Sequence, residues 1–267
     1  MAIIRNTGRW GALALAGGAL LFGLASLFHP PTVNPWDPTV SLAEATKMAW
    51  VIDHWALLAA VILVYSGLLI FHGLIGRHDD RGDRSLPYAL AVVSFALWAA
   101  IFLFEATGWP ILGKALEARA LEEVGARTEV IAPAATVLTT NGALPDGVAN
   151  GAAAPGLPSA GEESLLWTLA RTLWAPTISL GYAAAFLLGA AVLLWACELA
   201  ALQRAPSWLA QLGMVAGAAV AVAQPIALGV PRYALWLLVP AAALMGAWML
   251  AAAWWMWRAG PLDVNGR

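Results

Sequence analysis

The sequence predicts an all-α, polytopic membrane protein with six transmembrane helices. Of its 267 residues, 61% are hydrophobic and 11% are charged, against about 45–50% and about 25% in an ordinary soluble domain. The mean hydropathy of +0.74 and the net charge of −2 also exclude a disordered chain, because disorder requires low hydrophobicity and high net charge. Finally, the apolar residues are grouped in runs of the roughly 20 residues that a helix needs to cross a bilayer.

Six apolar runs are long enough to span a membrane, and we treat residues 1–267 as a single transmembrane domain. Arg5 and Arg9 precede the first run, as in a signal peptide, but its apolar core is too long and no A-x-A cleavage site follows, so we expect a retained helix. The predicted spans are 8–28, 53–75, 86–107, 176–200, 207–229 and 233–257.

The distribution of Lys and Arg predicts the orientation, because cytoplasmic loops carry an excess of both. If both termini are cytoplasmic, the short outer connections hold only Lys47 and Arg232. We therefore expect a multi-pass protein of a bacterial inner membrane with residues 108–175 outside. The cytoplasmic side then collects Arg5, Arg9, Arg77, Arg81, Arg84, Arg204, Arg258 and Arg267.

The segment 108–175 is predicted to be an extracytoplasmic loop with amphipathic helices. Leu112, Leu116, Ala120 and Val124 recur every four residues among charged ones, which is typical of a helix lying on the membrane interface. Residues 141–160 are rich in Gly, Ala and Pro and predict a flexible linker. A capping box at Ser159 and Glu162 then predicts a second helix that joins the fourth span through a kink at Pro176.

Small residues at intervals of four predict close helix packing. In the fifth span this face comprises Gly213, Gly217, Ala221, Pro225 and Gly229. Similar faces are expected in the fourth and sixth spans, formed by Gly181, Ala185 and Gly189 and by Ala243, Ala247 and Ala251. The last three spans are therefore predicted to form a tight unit.

Four ionisable residues lie at one membrane boundary, where such side chains indicate function by default. His29 ends the first span, Asp53 and His54 begin the second, and Glu105 lies near the end of the third. His29 and His54 could clamp the iron of a haem b, or all four residues could serve a metal ion.

The second span carries a further candidate face. His54, Tyr65 and His72 fall within about 20° of one another on a helix, so they could face a cofactor or a polar path. Alternatively, each histidine anchors its end of the helix at the headgroups while Tyr65 bonds a neighbouring helix. A diheme cytochrome of the two-helix, four-histidine kind is excluded, because no second ligand pair faces His72.

Three short motifs suggest a resemblance. They are Leu27-Phe28-His29-Pro30-Pro31 at the end of the first run, Asp53-His54-Trp55, and Arg204-Ala205-Pro206-Ser207-Trp208-Leu209 before the fifth span. In these features the chain resembles a broad group of uncharacterised six-helix bacterial membrane proteins with domains of unknown function. The resemblance implies a six-helix membrane fold and assigns neither an activity nor a site residue.

Three classes of function remain open. The first is a non-enzymatic accessory or scaffold subunit, associated in the lipid bilayer with a membrane protein partner or with copies of itself. The second is a haem- or metal-binding redox component.

The third class is a small-molecule transporter or channel. It would use helix breaks at Pro176, Pro225, Pro231 and Pro240 and a cavity lined by Tyr65, Glu105 or Gln224. Signature motifs of nucleotide hydrolysis, serine hydrolysis and thiol redox chemistry are absent from the sequence, and a pI near 6.1 argues against nucleic acid as a partner.

Overall fold

The computed structural model describes residues 2–29, 42, 44–76, 85–138, 165–202 and 205–259. Six of its helices are long and apolar enough to cross a membrane, which confirms the all-α, polytopic membrane fold. They are α1 (Ala2–Phe28), α2 (Met48–Gly76), α3 (Ser85–Leu138), α4 (Leu165–Leu202), α5 (Ser207–Gly229) and α6 (Ala234–Ala259), with a 3₁₀ turn at Pro231–Tyr233 before α6. The predicted linker at 141–160, the capping box of Ser159 and Glu162, and the Arg77, Arg81, Arg84 and Arg204 turns lie outside the described residues.

The third helix extends far past its predicted end. The span 86–107 continues without interruption to Leu138, giving a helix of 54 residues that is about 80 Å long at 1.5 Å per residue. The amphipathic segment after Thr107 is therefore a continuation of α3 and not a separate helix. The fourth helix likewise starts early, at Leu165, and the fifth begins and ends at the predicted residues.

The six helices pack in a closed ring in which each contacts the next and α6 returns to α1. Large aromatic side chains fill its core. Phe71 of α2 meets Trp195, Trp248 and Trp255 edge to face, with ring centroids 6.1, 5.6 and 5.9 Å apart. Edge-to-face contact is a favoured arrangement of aromatic rings, and here it links α2, α4 and α6.

Glycines set two of the helix crossings. At Gly18 of α1, a Cβ atom would lie 2.6 Å from the backbone nitrogen of Val64, so only glycine allows this approach of α1 to α2. At Gly217 of α5, a Cβ would lie 2.7 Å from the carbonyl oxygen of Gly189 in α4. The predicted small-residue packing between α4 and α5 is thus confirmed at Gly189 and Gly217.

Small-residue packing of the kind found between α4 and α5 is not found along the predicted face of α6. Ala243 and Ala247 of α6 are exposed and only Ala251 packs against the core, so the small-residue face predicted there does not form a contact inside the bundle along its length. The buried face of α6 instead carries large side chains such as Met245 and Trp248, together with other alanines such as Ala252.

The prolines do not break the helices in the way the transporter hypothesis requires. Pro176, Pro225 and Pro240 lie inside the continuous helices α4, α5 and α6. The predicted breaks at these positions are therefore wrong, since neighbouring helical bonds maintain the backbone around each proline. Pro231 alone of the four begins a separate turn.

Candidate metal centre

The four ionisable residues predicted at one boundary meet at the end of the bundle where α1 ends. The backbone N–H of His29 donates to the Ala25 carbonyl at 3.0 Å, which places His29 directly after the last turn of α1. The close approach of Gly18 to Val64 holds α1 against α2. His29 therefore lies beside Asp53 and His54, which are in the second turn of α2.

His29 is hydrogen-bonded to Asp53. The distance between His29 Nδ1 and Asp53 Oδ2 is 2.7 Å, and the two side chains are 31% and 8% exposed. A carboxylate accepts, so Nδ1–H of His29 is the donor, and in the neutral ring its Nε2 carries the free lone pair. A histidine oriented by a carboxylate in this way is a common arrangement in metal sites.

His54 is completely buried, and its tautomer is fixed by a backbone contact. Its Nδ1 lies 2.8 Å from the carbonyl oxygen of Trp50, which can only accept, so Nδ1–H is the donor. The Trp50 ring stacks on the imidazole with centroids 4.1 Å apart. In the neutral ring, the remaining nitrogen, Nε2, therefore carries a lone pair in a fixed direction.

Glu105 of α3 lies beside this nitrogen. Its Oε2 is 3.3 Å from His54 Nε2, yet Nε2 has no hydrogen-bond partner among the described residues. A ring nitrogen with a lone pair and a carboxylate oxygen repel each other unless a proton or a cation lies between them. The indole N–H of Trp50 also donates to the backbone carbonyl of Glu105 at 2.8 Å, which fixes α3 against α2.

The cluster has the size and donor types of a metal site. One ligand atom each from His29, Asp53 and His54 lies within 4.8 Å of the other two. Imidazole and carboxylate ligands without thiolate suit zinc, iron and manganese ions. The structure thus brings together all four residues of the predicted set, and the binding of an ion stays a prediction.

A haem fits this geometry less well than a single ion. The ring centroids of His29 and His54 are 5.0 Å apart, and Asp53 contacts both histidines, at 2.7 and 3.8 Å. A macrocycle would have to enter between the two rings and displace that carboxylate, whereas an ion needs only small movements of the side chains.

A second apolar cluster, absent from the sequence prediction, packs beside the site. It includes Trp50, which covers one face of His54, and it joins the extended part of α3 to the start of α4. Trp109 and Trp174 form its centre, with ring centroids 5.3 Å apart. In the predicted spans, Trp109 follows the end of the third and Trp174 precedes the start of the fourth. The buried members are Leu42, Ala45, Trp50, Trp109, Ala170 and Trp174.

Tyr65 and His72 do not join this cluster. Tyr65 hydrogen-bonds Ser94 of α3, whose hydroxyl donates to the Ala184 carbonyl of α4 at 2.6 Å. His72 Nδ1 accepts from the indole N–H of Trp195 at 3.1 Å. Tyr65 lies 11 residues after His54, about 16 Å along the helix. Its hydrogen bond to Ser94 of α3 agrees with the alternative in which Tyr65 bonds a neighbouring helix and faces no cofactor.

Comparison with known protein families, with curated proteins and with solved structures finds no match to this chain. The resemblance to uncharacterised six-helix bacterial membrane proteins therefore stays a prediction.

Proposed function

We propose that this integral membrane protein binds a divalent transition-metal ion through His29, Asp53, His54 and Glu105. The observation that carries the proposal is His54 Nε2, a buried nitrogen that no described residue hydrogen-bonds and that lies 3.3 Å from the Glu105 carboxylate. A cation between the two groups converts their repulsion into attraction, and zinc binds imidazole nitrogen and carboxylate oxygen at about 2.0–2.2 Å.

The hydrogen bonds and the exposure of the two histidines favour metal binding by these residues. Hydrogen bonds at Nδ1 of both histidines already orient the rings, and such bonds tune metal ligands. His29 is the most exposed of the four residues, with 31% of its side chain accessible, so we infer that an ion enters past His29 and reaches the buried His54 last.

Equilibrium dialysis of the purified, chelator-treated protein against Zn²⁺, followed by elemental analysis, tests the proposal. We expect one ion per chain. Asp53→Asn and Glu105→Gln preserve side-chain shape but remove charge, so each should lower the Zn²⁺ affinity at least about tenfold. His72→Gln is the matched control, because it removes a histidine from the opposite end of α2 and should leave binding unchanged.

Two outcomes would contradict the proposal: a wild-type protein that retains no ion, or variants that bind as tightly as the wild type. An absorption spectrum of the protein as isolated distinguishes haem b, since a Soret band that is lost on substitution of His29 and His54 would favour the haem alternative.

A non-enzymatic accessory or scaffold role is the second candidate. In this role Asp53 and Trp50 would be structural residues, because their hydrogen bonds join α1, α2 and α3 and would stabilise the bundle without an ion. Crosslinking in native membranes tests it, and a chain that forms no crosslinked species with a partner or a second copy would count against it.

We further propose a bacterial inner-membrane location with both termini in the cytoplasm, supported by the Lys and Arg distribution. The metal centre would then lie at the periplasmic boundary. A topology reporter inserted within 141–160 should give a periplasmic signal, and a cytoplasmic signal would reverse the orientation.

A further inference from the structure

Two arginines at the opposite end of the bundle lie over tryptophan rings. The Arg9 guanidinium carbon is 5.4 Å from the centroid of Trp257, and that of Arg258 is 4.8 Å from Trp254. Both tryptophans are 47% exposed, and both arginines are exposed. We call these four residues the arginine–indole cluster.

The arginine–indole cluster is built on a helix contact. A Cβ placed on Gly8 of α1 would lie 3.6 Å from the carbonyl oxygen of Met256 in α6, so the start of α1 packs on the last turns of α6. Trp208, in the first turn of α5, meets Trp254 with ring centroids 6.2 Å apart. Three helices thus form one surface at this end of the bundle.

The two guanidinium groups lack a counter-charge within the described part of the chain. The ion pairs found there involve neither Arg9 nor Arg258. A guanidinium over an aromatic face keeps its five N–H donors in the plane of the group, where they match the oxygens of a phosphate. The exposed indoles place this surface at the level of the lipid headgroups.

We propose that the arginine–indole cluster binds the phosphate of an anionic phospholipid headgroup. Basic surfaces between helices at the membrane boundary recognise such headgroups, and the tryptophans hold the arginines in place for contact with a single phosphate. The exposed apolar side chains that follow along α1 and α6, among them Leu13 and Leu250, would contact the acyl chains. This inference is independent of the metal centre.

Native mass spectrometry of the purified protein with phosphatidylglycerol or phosphatidylcholine in detergent tests the proposal. We expect phosphatidylglycerol to bind preferentially, and Arg9→Gln and Arg258→Gln each to weaken its binding about fivefold. Arg232→Gln is the matched control: Arg232 also lies over a ring, 4.7 Å from Tyr233, but on the turn before α6, so it should change binding less than twofold.

Equal weakening by all three substitutions would overturn the proposal, because the effect would then reflect net charge alone. Wild-type lipid binding in the double variant of Arg9 and Arg258 would also overturn it. Inorganic phosphate is then added at millimolar concentration as a competitor. Displacement of the lipid would identify free phosphate as the ligand, and retained lipid supports a headgroup site. Circular dichroism of each variant verifies the fold.

Discussion

Replacing Gly18 by Ala should destabilise the protein by forcing α1 away from α2. The added Cβ would lie 2.6 Å from the backbone nitrogen of Val64 and 2.9 Å from the carbonyl oxygen of Ala60. Ordinary van der Waals contacts begin near 3.4 Å, so the two helices must separate by roughly 0.8 Å. Both contacts are with backbone atoms, which cannot rotate away as a side chain can.

Gly17→Ala is the control for this change. It introduces the same methyl group one residue earlier on the same helix, where a Cβ would meet nothing within 4 Å. Both substitutions gain up to about 1 kcal/mol from the higher helix propensity of alanine, so the difference between them isolates the packing cost. Overpacking of this kind costs about 1–3 kcal/mol.

Equilibrium unfolding in mixed detergent micelles, followed by circular dichroism, measures both variants. We expect Gly18→Ala to be less stable than Gly17→Ala by about 1–3 kcal/mol. Equal stability within about 0.5 kcal/mol would refute the close crossing, because surface substitutions differ by no more than this.

Three further changes test other contacts. Gly217→Ala should be less stable in the same assay than Gly246→Ala, by about 1–3 kcal/mol, because only at Gly217 would the Cβ meet backbone, 2.5 Å from the Leu193 nitrogen. Ser94→Ala should cost about 1–3 kcal/mol by leaving the Tyr65 hydroxyl buried without its partner, and adding Tyr65→Phe should recover part of that loss. Trp50→Phe keeps a ring over the imidazole but loses the indole N–H bond to α3, so dialysis should give a Zn²⁺ affinity lowered by about tenfold.

The sequence predicted the membrane fold because the length and hydropathy of an apolar run indicate directly whether it can span the bilayer. It also placed His29, Asp53, His54 and Glu105 together, since short connections between helices return the chain to the same boundary. It missed the length of α3, because the charged residues after Thr107 resemble those of an interfacial helix. The contact of Trp109 with Trp174 and the approach of Gly113 to Leu42 support the first turns of this extension.

Other features depend on distant parts of the chain. Ser94 carried no signal in the sequence, as one serine among apolar residues is common, and its role arises from Tyr65 and Ala184 on either side. Ala243 and Ala247 of α6 had the correct spacing for close packing but are exposed. Spacing identifies a helix face without specifying which neighbour the face meets.

Ion binding and helix packing should be coupled at the proposed metal centre, because the proposed ligands come from three helices. An ion present at 100 times its dissociation constant stabilises a folded protein by about 2.7 kcal/mol if it binds only that state. In Gly18→Ala, α1 carries His29 away from α2, so Zn²⁺ should stabilise this variant less than it stabilises Gly17→Ala. If Gly18→Ala lost stability but bound Zn²⁺ as tightly as the control, His29 would not be a ligand, and the ion would be held by Asp53, His54 and Glu105 alone.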